Sequence, residues 1–447
     1  MRKAHKRDEN ISADNALKQE IPLTDGNQES QNQTGAEVLA KFSDSQAMFL
    51  EAIKLLIPTP KPANDVANLS IQVEANRQFY ENPEARSIDQ AIVLLHESEK
   101  LGYAPAAYRL ACISLTETAE RLDWGQLAER MRFCCEQQIP QALCDAAVFF
   151  GRFGDERQRL TSTALLEAAA LKGSIVAMAL LGRRLALGHY CQQNRARANT
   201  ILLMASEFGL PTPPPDPAFG FAQAEPSDIP DIDFPLDFSS LCRSDSLPDG
   251  KVINPLSALT VFDGALSEEE CLYVQCLAEG NMTPSIVVDN TGRSSLSSER
   301  TSHDFYFLPE HETVYLNLLQ RRMSAAARLP LANSEQLTML SYKPGQEFRL
   351  HRDNLPHNHF VAKDKGGPGQ RHRTVIAYLA APEAGGETEF PVLSLRVPSI
   401  RGQLLCFDNL LADGKLCRTS LHAGLPVIQG VKWICTLWIR ETTLRAL

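Results

Sequence analysis

Three side chains in the last quarter of the chain are of the types, and at the spacing, that hold a catalytic metal. His351 and Asp353 form an H-x-D at the end of a strand-like run, and His422 follows Asp353 by 69 residues. Residues two apart on a strand face the same way, so the imidazole and the carboxylate can reach one ion. Two histidines and a carboxylate cover one face of an octahedral metal and leave three positions open, the donor set that suits non-haem iron(II). By itself the pattern is weak, because chance also supplies it. Lys432 strengthens it. It lies ten residues after His422, with Pro426, Val427 and Gly430 between, so the chain can turn and return as an adjacent strand. In KWICTLWIR, Lys432, Ile434, Thr436, Trp438 and Arg440 share one face by period two. An inward lysine is costly unless it meets an anion, and the carboxylate of a cosubstrate would serve.

The elements around these residues predict what must position them. Short β-rich runs, LTMLSY (337–342), TVIAYLA (374–380), QLLCFD (403–408) and KWICTLWIR (432–440), are separated by turn residues. Ser267 to Glu270 reads as a capping box opening one helix, and a further helix is expected over 311–328. Helices first and short strands later suggest an antiparallel double-sheet barrel with helical support. Residues 36–210 are helical and repetitive. Gly102, Gln138, Gly173 and Gly209 close successive helix-like segments at spacings of 36, 35 and 36, where a left-handed C-terminal cap favours glycine. Ala106, Ala142 and Ala177 follow, then Leu110, Ala146 and Leu181, small or apolar residues that let a second helix lie close. This period, with two helices per unit, predicts an α/α solenoid. Prolines crowd residues 211–250, which read as a semi-rigid extended connector. Residues 1–35 are polar and are expected to be disordered. The segment 354–370 is expected to be a mobile lid hinged on Gly366, Gly367 and Gly369, with His357 and His359 in it facing solvent or substrate rather than metal.

At this point two resemblances emerge. Residues from about 255 to 440 resemble the prolyl 4-hydroxylase family of iron(II)- and 2-oxoglutarate-dependent oxygenases. The matching run includes Leu266-Ser267-x-x-Glu270-Cys271, Arg300-Thr301-Ser302, Glu335, Tyr342-x-x-Gly345 and His351-x-Asp353. It continues through Arg371-x-x-Thr374-x-x-x-Tyr378-Leu379, Gly385-Gly386-Glu387-Thr388, His422-Ala423-Gly424-x-Pro426-Val427, Gly430-x-Lys432-Trp433 and Trp438. Residues 36–210 resemble tetratricopeptide-like arrays, in particular Sel-one-like repeats. The first resemblance implies that His351, Asp353 and His422 bind iron and that Lys432 pairs with the distal carboxylate of 2-oxoglutarate. Tyr342 and Thr388 would add hydroxyl hydrogen bonds, and Trp438 would wall the pocket. Arg300, Ser302, Glu335 and Arg371 would lie near the substrate groove. It further implies use of O2, release of succinate and CO2, and ascorbate as a reductant. Two positions depart from the family pattern. Phe348 stands where tyrosine is frequent and Arg440 where some members have histidine, both on the family's substrate side.

The expected architecture is therefore multidomain: an N-terminal helical-repeat solenoid (36–210), a Pro-rich linker (211–250) and a C-terminal α+β double-stranded β-helix, or jelly-roll, oxygenase domain (251–447). The expected activity is hydroxylation of a prolyl residue in a peptide or protein recruited by the repeats. A free amino acid or small metabolite as substrate, or an adaptor with an inactive oxygenase domain, are the alternatives. A net charge of -10 gives no basic footprint for nucleic acid or an anionic membrane surface. No signal-peptide core or spanning apolar run is present in the sequence. The eleven cysteines, with no CxxC pair, read as reduced core thiols of a cytoplasmic protein.

Overall fold

A computed structural model describes residues 35–56, 88–116, 121–210, 212–213, 216–222, 236–288, 294–296, 299–355, 363 and 367–445. The expected N-terminal tail, His357 and His359, Gly366 and six of the connector prolines lie outside the described residues. Residues Met1–Lys41 form one unit and Phe42–Leu447 a second, compact one. No helix of the described residues is long and apolar enough to cross a membrane.

The helical region comprises α1 (Gly35–Leu56), α2 (Ile88–Lys100), α3 (Ala104–Ser114), α4 (Trp124–Glu136), α5 (Pro140–Phe153), α6 (Glu156–Leu171), α7 (Ile175–Leu187) and α8 (Arg195–Glu207). The four aligned cap positions prove equivalent. Gly102, Gln138, Gly173 and Gly209 have φ of 88°, 53°, 87° and 79°. Each donates its N–H three residues back, and the next residue donates five back: Tyr103 to Ser98, Ile139 to Cys134, Ser174 to Ala169 and Leu210 to Ala205. This is the Schellman arrangement, and it turns the chain at a fixed angle from one helix into the next. Ala106, Ala142, Ala146 and Ala177 are fully buried at the crossings, as their small size requires.

The second half carries strands β1 (Lys251–Asn254), β2 (Leu259–Phe262), β3 (Thr283–Pro284), β4 (Ile286–Val288), β5 (Ser294–Leu296), β6 (His303–Tyr306), β7 (Thr338–Tyr342), β8 (Phe348–His351), β9 (Arg371–Ala380), β10 (Ala384–Gly385), β11 (Thr388–Phe390), β12 (Leu395–Val397), β13 (Leu404–Asp408), β14 (His422–Gly424), β15 (Val427–Gln429) and β16 (Lys432–Arg440). They form an eight-stranded sheet of order β1-β2-β13-β9-β16-β7-β6-β3, a four-stranded sheet of order β12-β11-β14-β8 and the two pairs β10-β15 and β4-β5. The long strands are β7, β9, β13 and β16, as the apolar runs predict. Alternation along the long strands divides their side chains between two cores. Leu340, Tyr342, Ile376, Tyr378, Leu405, Phe407 and Ile434 point inward and meet Phe390, Val397 and Val427 from the other side. That is the interior of the double-stranded β-helix. Met339, Val375, Ala377, Leu379, Leu404, Cys406, Cys435, Leu437 and Ile439 point outward into a larger core.

The outward core continues through α9 (Glu268–Ala278) and α10 (Val314–Ala327) into the repeats without a break. The expected capping box is present, with Ser267 and Glu270 exchanging hydrogen bonds. The repeats do not swing free on a tether. Asp145 of α5 accepts from Tyr108 of α3 at 2.7 Å, from Tyr273 of α9 at 2.5 Å and from the backbone N–H of Tyr315 in α10 at 3.1 Å. Arg184 of α7 holds Glu269 through Nε at 2.8 Å and Nη2 at 2.5 Å, and Arg183 pairs with Glu268. Arg109 donates to Pro309 O at 2.7 Å. The described parts of the connector are packed too. Asn199 of α8 donates to the carbonyls of Asp216 and Gly220, both at 2.7 Å. Phe238 lies 4.9 Å from Phe150, ring to ring. Proline excludes regular structure here, but it does not stop the intervening Leu236 and Phe238 from entering the core. The eleven cysteines are free thiols, and nine are buried.

Candidate active site

The smaller sheet brings the histidines together. β8 and β14 are antiparallel, with His351 directly opposite His422 and their rings 4.2 Å apart. Asp353, just past the end of β8, turns its carboxylate to the same side, with Oδ1 3.7 Å from His351 Nε2. One ligand atom from each of the three lies within 4.8 Å of the others.

The outer hydrogen bonds leave the inner atoms free. His351 Nδ1 meets Arg349 O at 2.7 Å and His422 Nδ1 meets Ser420 O at 2.8 Å. A carbonyl accepts only, so each Nδ1 carries the proton and each Nε2 presents a lone pair. Burial, followed by the neighbouring His422, pushes His351 down to about 3, which keeps it a neutral ligand. Burial opposes ionisation of Asp353, but His422, His351, Arg371 and the Thr374 hydroxyl outweigh it and hold the carboxyl below its usual range. Thr374 Oγ1 donates to Asp353 Oδ2 at 2.6 Å and accepts from Asn409 Nδ2 at 2.8 Å. Oδ1 is left for a metal. Two neutral imidazoles and one carboxylate, oriented from behind by backbone and hydroxyl, fit iron(II).

Lys432 opens β16, paired with Tyr342 of β7. It is 3% exposed, and no carboxylate of the described residues lies within ion-pair distance. Its Nζ sits 5.6 Å from the Tyr342 ring centre and 5.7 Å from that of Tyr378. Burial lowers its pKa to about 8, with Glu387 offsetting part of the effect. Beside it, a Cβ on Gly424 would stand 4.0 Å from Nζ, so glycine keeps that space clear. Tyr378 OH and Thr388 Oγ1 share a hydrogen bond of 2.8 Å. The orphaned ammonium, the aromatic walls and the hydroxyls suit a small dicarboxylate whose far end reaches Lys432.

Across the site, Glu335 takes a two-pronged bond from Arg371, Nε to Oε1 at 2.7 Å and Nη2 to Oε2 at 2.6 Å. The Arg371 guanidinium lies 3.9 Å from the Trp438 ring centre. Arg300 pairs with Asp304, and Ser302 meets Ser285 at 2.7 Å. Phe348 stacks on His351 with ring centres 3.5 Å apart and carries Arg300 over its other side at 5.6 Å. Arg440 is 1% exposed, with Nε 2.8 Å from Gly369 O and Nη1 3.2 Å from Glu335 Oε1. Reading the sequence assigned no role to Thr374, Asn409 or Tyr378. Thr374 and Tyr378 share the inward face of β9 with Ile376, and that alternation is the signal that could have found them. Asn409, beyond the end of β13, had none.

A barrel carrying this donor set beside an orphaned lysine defines a non-haem iron(II) oxygenase that takes 2-oxoglutarate and O2. A model of the 2OG-Fe(II) oxygenase superfamily matches residues 337–440. "Probable prolyl 4-hydroxylase 3" of Arabidopsis thaliana is 34% identical over 201 residues, 40% of this chain and 68% of that protein. The chain belongs to the prolyl 4-hydroxylase family of iron(II)- and 2-oxoglutarate-dependent dioxygenases. Among solved structures, the viral collagen prolyl hydroxylase of Paramecium bursaria Chlorella virus-1, in complex with 2-oxoglutarate, is 30% identical, covering 41% of this chain and 95% of that one with a TM-score of 0.32. A Sel1 repeat protein from Oxalobacter formigenes is 16% identical over 38% of this chain and 70% of that one, with a TM-score of 0.26.

Proposed function

We propose that this dioxygenase hydroxylates a prolyl residue of a peptide or protein, converting 2-oxoglutarate to succinate and CO2. The observation that carries the reading is the pairing of two Nε2-free histidines and Asp353 with a buried lysine that has no carboxylate at ion-pair distance among the described residues. His351, Asp353 and His422 would hold the iron, which when bound with 2-oxoglutarate and O2 supplies the oxidising power. Lys432 would bind the distal carboxylate, with Tyr342 and the Tyr378–Thr388 hydroxyl pair beside it. Trp438 would close the pocket wall and exclude water. Arg371, steadied by Glu335, and Arg300 with Ser302 would orient the substrate backbone on the open side. Phe348 offers no hydroxyl to that substrate, and this keeps a free amino acid or small metabolite as the second reading. The unbroken donor set argues against an inactive adaptor.

Recruitment by the repeats belongs to the same proposal, with a restriction. The first helix of each pair, α3, α5 and α7, is committed to the oxygenase through Tyr108, whose hydroxyl accepts from Val314 N–H, and through Asp145 and Arg184. A protein substrate would therefore dock on the opposite helices, where Leu160 and Leu171 of α6 and Leu203 and Met204 of α8 are exposed.

The test has two stages. Anaerobic titration with iron(II) and 2-oxoglutarate should give the weak metal-to-ligand absorption band in the wild type and none in His351→Ala. Lysate exposed to wild type but not to His351→Ala should then show products heavier by one oxygen on proline. A folded wild type without the band would end the enzyme reading. Oxygen found on a free metabolite instead would select the second one.

A further inference from the structure

Strands β9 and β16 pair along their length, but the register slips between Ile439 and Arg440, which face Arg373 and Arg371. His372 is the extra residue on β9, a bulge. Its effect is to place two arginines, Arg371 and Arg440, directly across from one another. Like charges in that position repel. Glu335 lies between them and binds both. Burial would raise its pKa, but Arg371 and then Arg440 outweigh this and keep it ionised.

From that point three chain segments are stacked by hydrogen bonds. On the first step, the end of β16 holds the start of β9. Arg440 donates Nε and Nη2 to Gly369 O at 2.8 and 2.5 Å. Gln370 N donates to Glu441 Oε2 at 2.7 Å, and Glu441 N to Gln370 O at 3.1 Å. Gly369 is at φ +80°, and a Cβ there would approach the Glu441 side chain to 2.5 Å, so only glycine allows this approach. On the second step, the start of β9 holds the segment after Asp353. Gln370 accepts from Leu355 N at 2.9 Å and donates to Leu355 O at 2.7 Å. Arg371 Nη1 reaches Asp353 O at 3.4 Å. Asp353 is thus fixed in front by its neighbours in the triad and behind by two paths that both begin at Arg440. One runs through Glu335 and Arg371, the other through Gly369, Gln370 and Leu355.

We propose that Arg440 is a positioning residue for the metal site, setting the placement of Asp353 from the far end of the last strand. It bonds Gly369 and Glu335, not the three ligand side chains themselves. Its fork is what the arrangement uses, because one guanidinium must satisfy a carbonyl and a carboxylate together. Lysine would keep the charge and lose the second contact. The inference rests on the metal-site reading above, and its test separates the two.

The probe is cobalt(II), titrated into apo protein and followed by its ligand-field absorption, with no substrate needed. Wild type is compared with Arg440→Lys and, on the second path, with Gln370→Ala, each checked for folding by circular dichroism and thermal melting. We expect Arg440→Lys to bind cobalt(II) about tenfold more weakly with a shifted spectrum, and Gln370→Ala to weaken it a few-fold. The double variant should lose less than the product of the two, because the paths share one origin. A purely structural role would lower the melting temperature and leave the spectrum and affinity of the folded protein unchanged. That outcome in either folded variant would overturn the inference while leaving the metal site intact. Failure of the wild type itself to bind cobalt(II) or iron(II) would overturn the metal site and this inference with it. Should Arg440→Lys not fold, Gln370→Ala decides alone.

Discussion

Lys432 and Asp145 are both buried, both ionisable, and both without an oppositely charged side chain at ion-pair distance among the described residues. They differ in what surrounds them. Asp145, between the repeats and the oxygenase, has both carboxylate oxygens occupied by the hydroxyls of Tyr108 and Tyr273 and the N–H of Tyr315. Lys432, inside the barrel, has among the described residues two tyrosine ring faces, the more distant charge of Glu387 and a cleared space beside Gly424. A buried polar group that is fully hydrogen-bonded belongs to the architecture. One left unsatisfied in an otherwise well-packed core marks where a ligand completes the structure. The same test separates the two places: at Asp145 the contact of the repeats with the oxygenase is closed, and at Lys432 the barrel interior is open.

The sharpest way to break this comparison is Lys432→Met. Loss of the ammonium should weaken 2-oxoglutarate binding by about a hundredfold or more, on the order of 3 kcal/mol. It should at the same time stabilise the ligand-free protein, because a buried charge without a partner is removed. The pH dependence follows from the depressed pKa of about 8. Between there and the unfolded value near 10.5 the unfolded chain binds more protons than the native one. Ligand-free stability therefore rises with pH across that window, by roughly 3 kcal/mol at most. Affinity for 2-oxoglutarate falls over the same range as the ammonium is lost. Thermal melts at pH 7 and pH 9, with and without 2-oxoglutarate, measure both. A ligand-induced shift that survives in Lys432→Met would place the carboxylate elsewhere.

Asp145 should behave in the opposite sense. Asp145→Ala strands two tyrosine hydroxyls and a backbone N–H in the core, costing roughly 3 kcal/mol or more. Asp145→Asn should cost within about 1 kcal/mol, because an amide oxygen still accepts and the tyrosine hydroxyls can accept from its NH2. Burial raises the Asp145 pKa to about 6, despite the hydrogen bonds from Tyr108, Tyr273 and the backbone that lower it. Between about pH 4 and 6 the native state binds more protons than the unfolded chain, so this group's contribution to stability declines as pH rises through that window. Denaturant unfolding of wild type and Asp145→Asn at pH 4.5 and 7 reads the difference. Affinity for 2-oxoglutarate, measured well below the melting temperature, should not change. A large change there would mean that the repeat contact reaches the barrel interior after all.

The open site was the more legible from residues alone. Its chemistry lies in a few side chains at fixed steps, 351, 353, 422 and 432, and the last of them opens a long strand-like run. In KWICTLWIR the set Trp433, Cys435, Leu437 and Ile439 is wholly apolar and packs into the core shared with α9 and α10, while the other set carries Lys432, Thr436 and Arg440. The short strands of the smaller sheet, at 348–351, 388–390, 395–397 and 422–424, have too little length for any period to show. Nor could the closed contact be foreseen. Asp145 meets Tyr273 across 128 positions, and no local pattern announces such a contact. What Arg440 meets was hidden for a related reason. Period two puts it on the face of Lys432, and there the bulge at His372 sets Arg371 opposite it; bulges leave little trace in a single sequence.

What the sequence did reveal of the repeats was their caps, and these supply the smallest and cleanest test. Gln138 holds the left-handed conformation that glycine holds at the three equivalent positions, at the turn into α5, the helix that carries Asp145. A side chain there is strained where glycine is not. Glycine also loses more conformational freedom on folding, which offsets part of the gain. Gln138→Gly should therefore stabilise by only about 0.5–1 kcal/mol, a rise in melting temperature of roughly 1 °C for a unit of this size. Gly173→Gln should lower it by a comparable amount. Because both changes act on the side of the closed contact, neither should alter the shift that 2-oxoglutarate induces. An altered shift with an intact cap would show that the turn geometry of the repeats is transmitted to the site, and the division between a closed contact and an open site would then have to be given up.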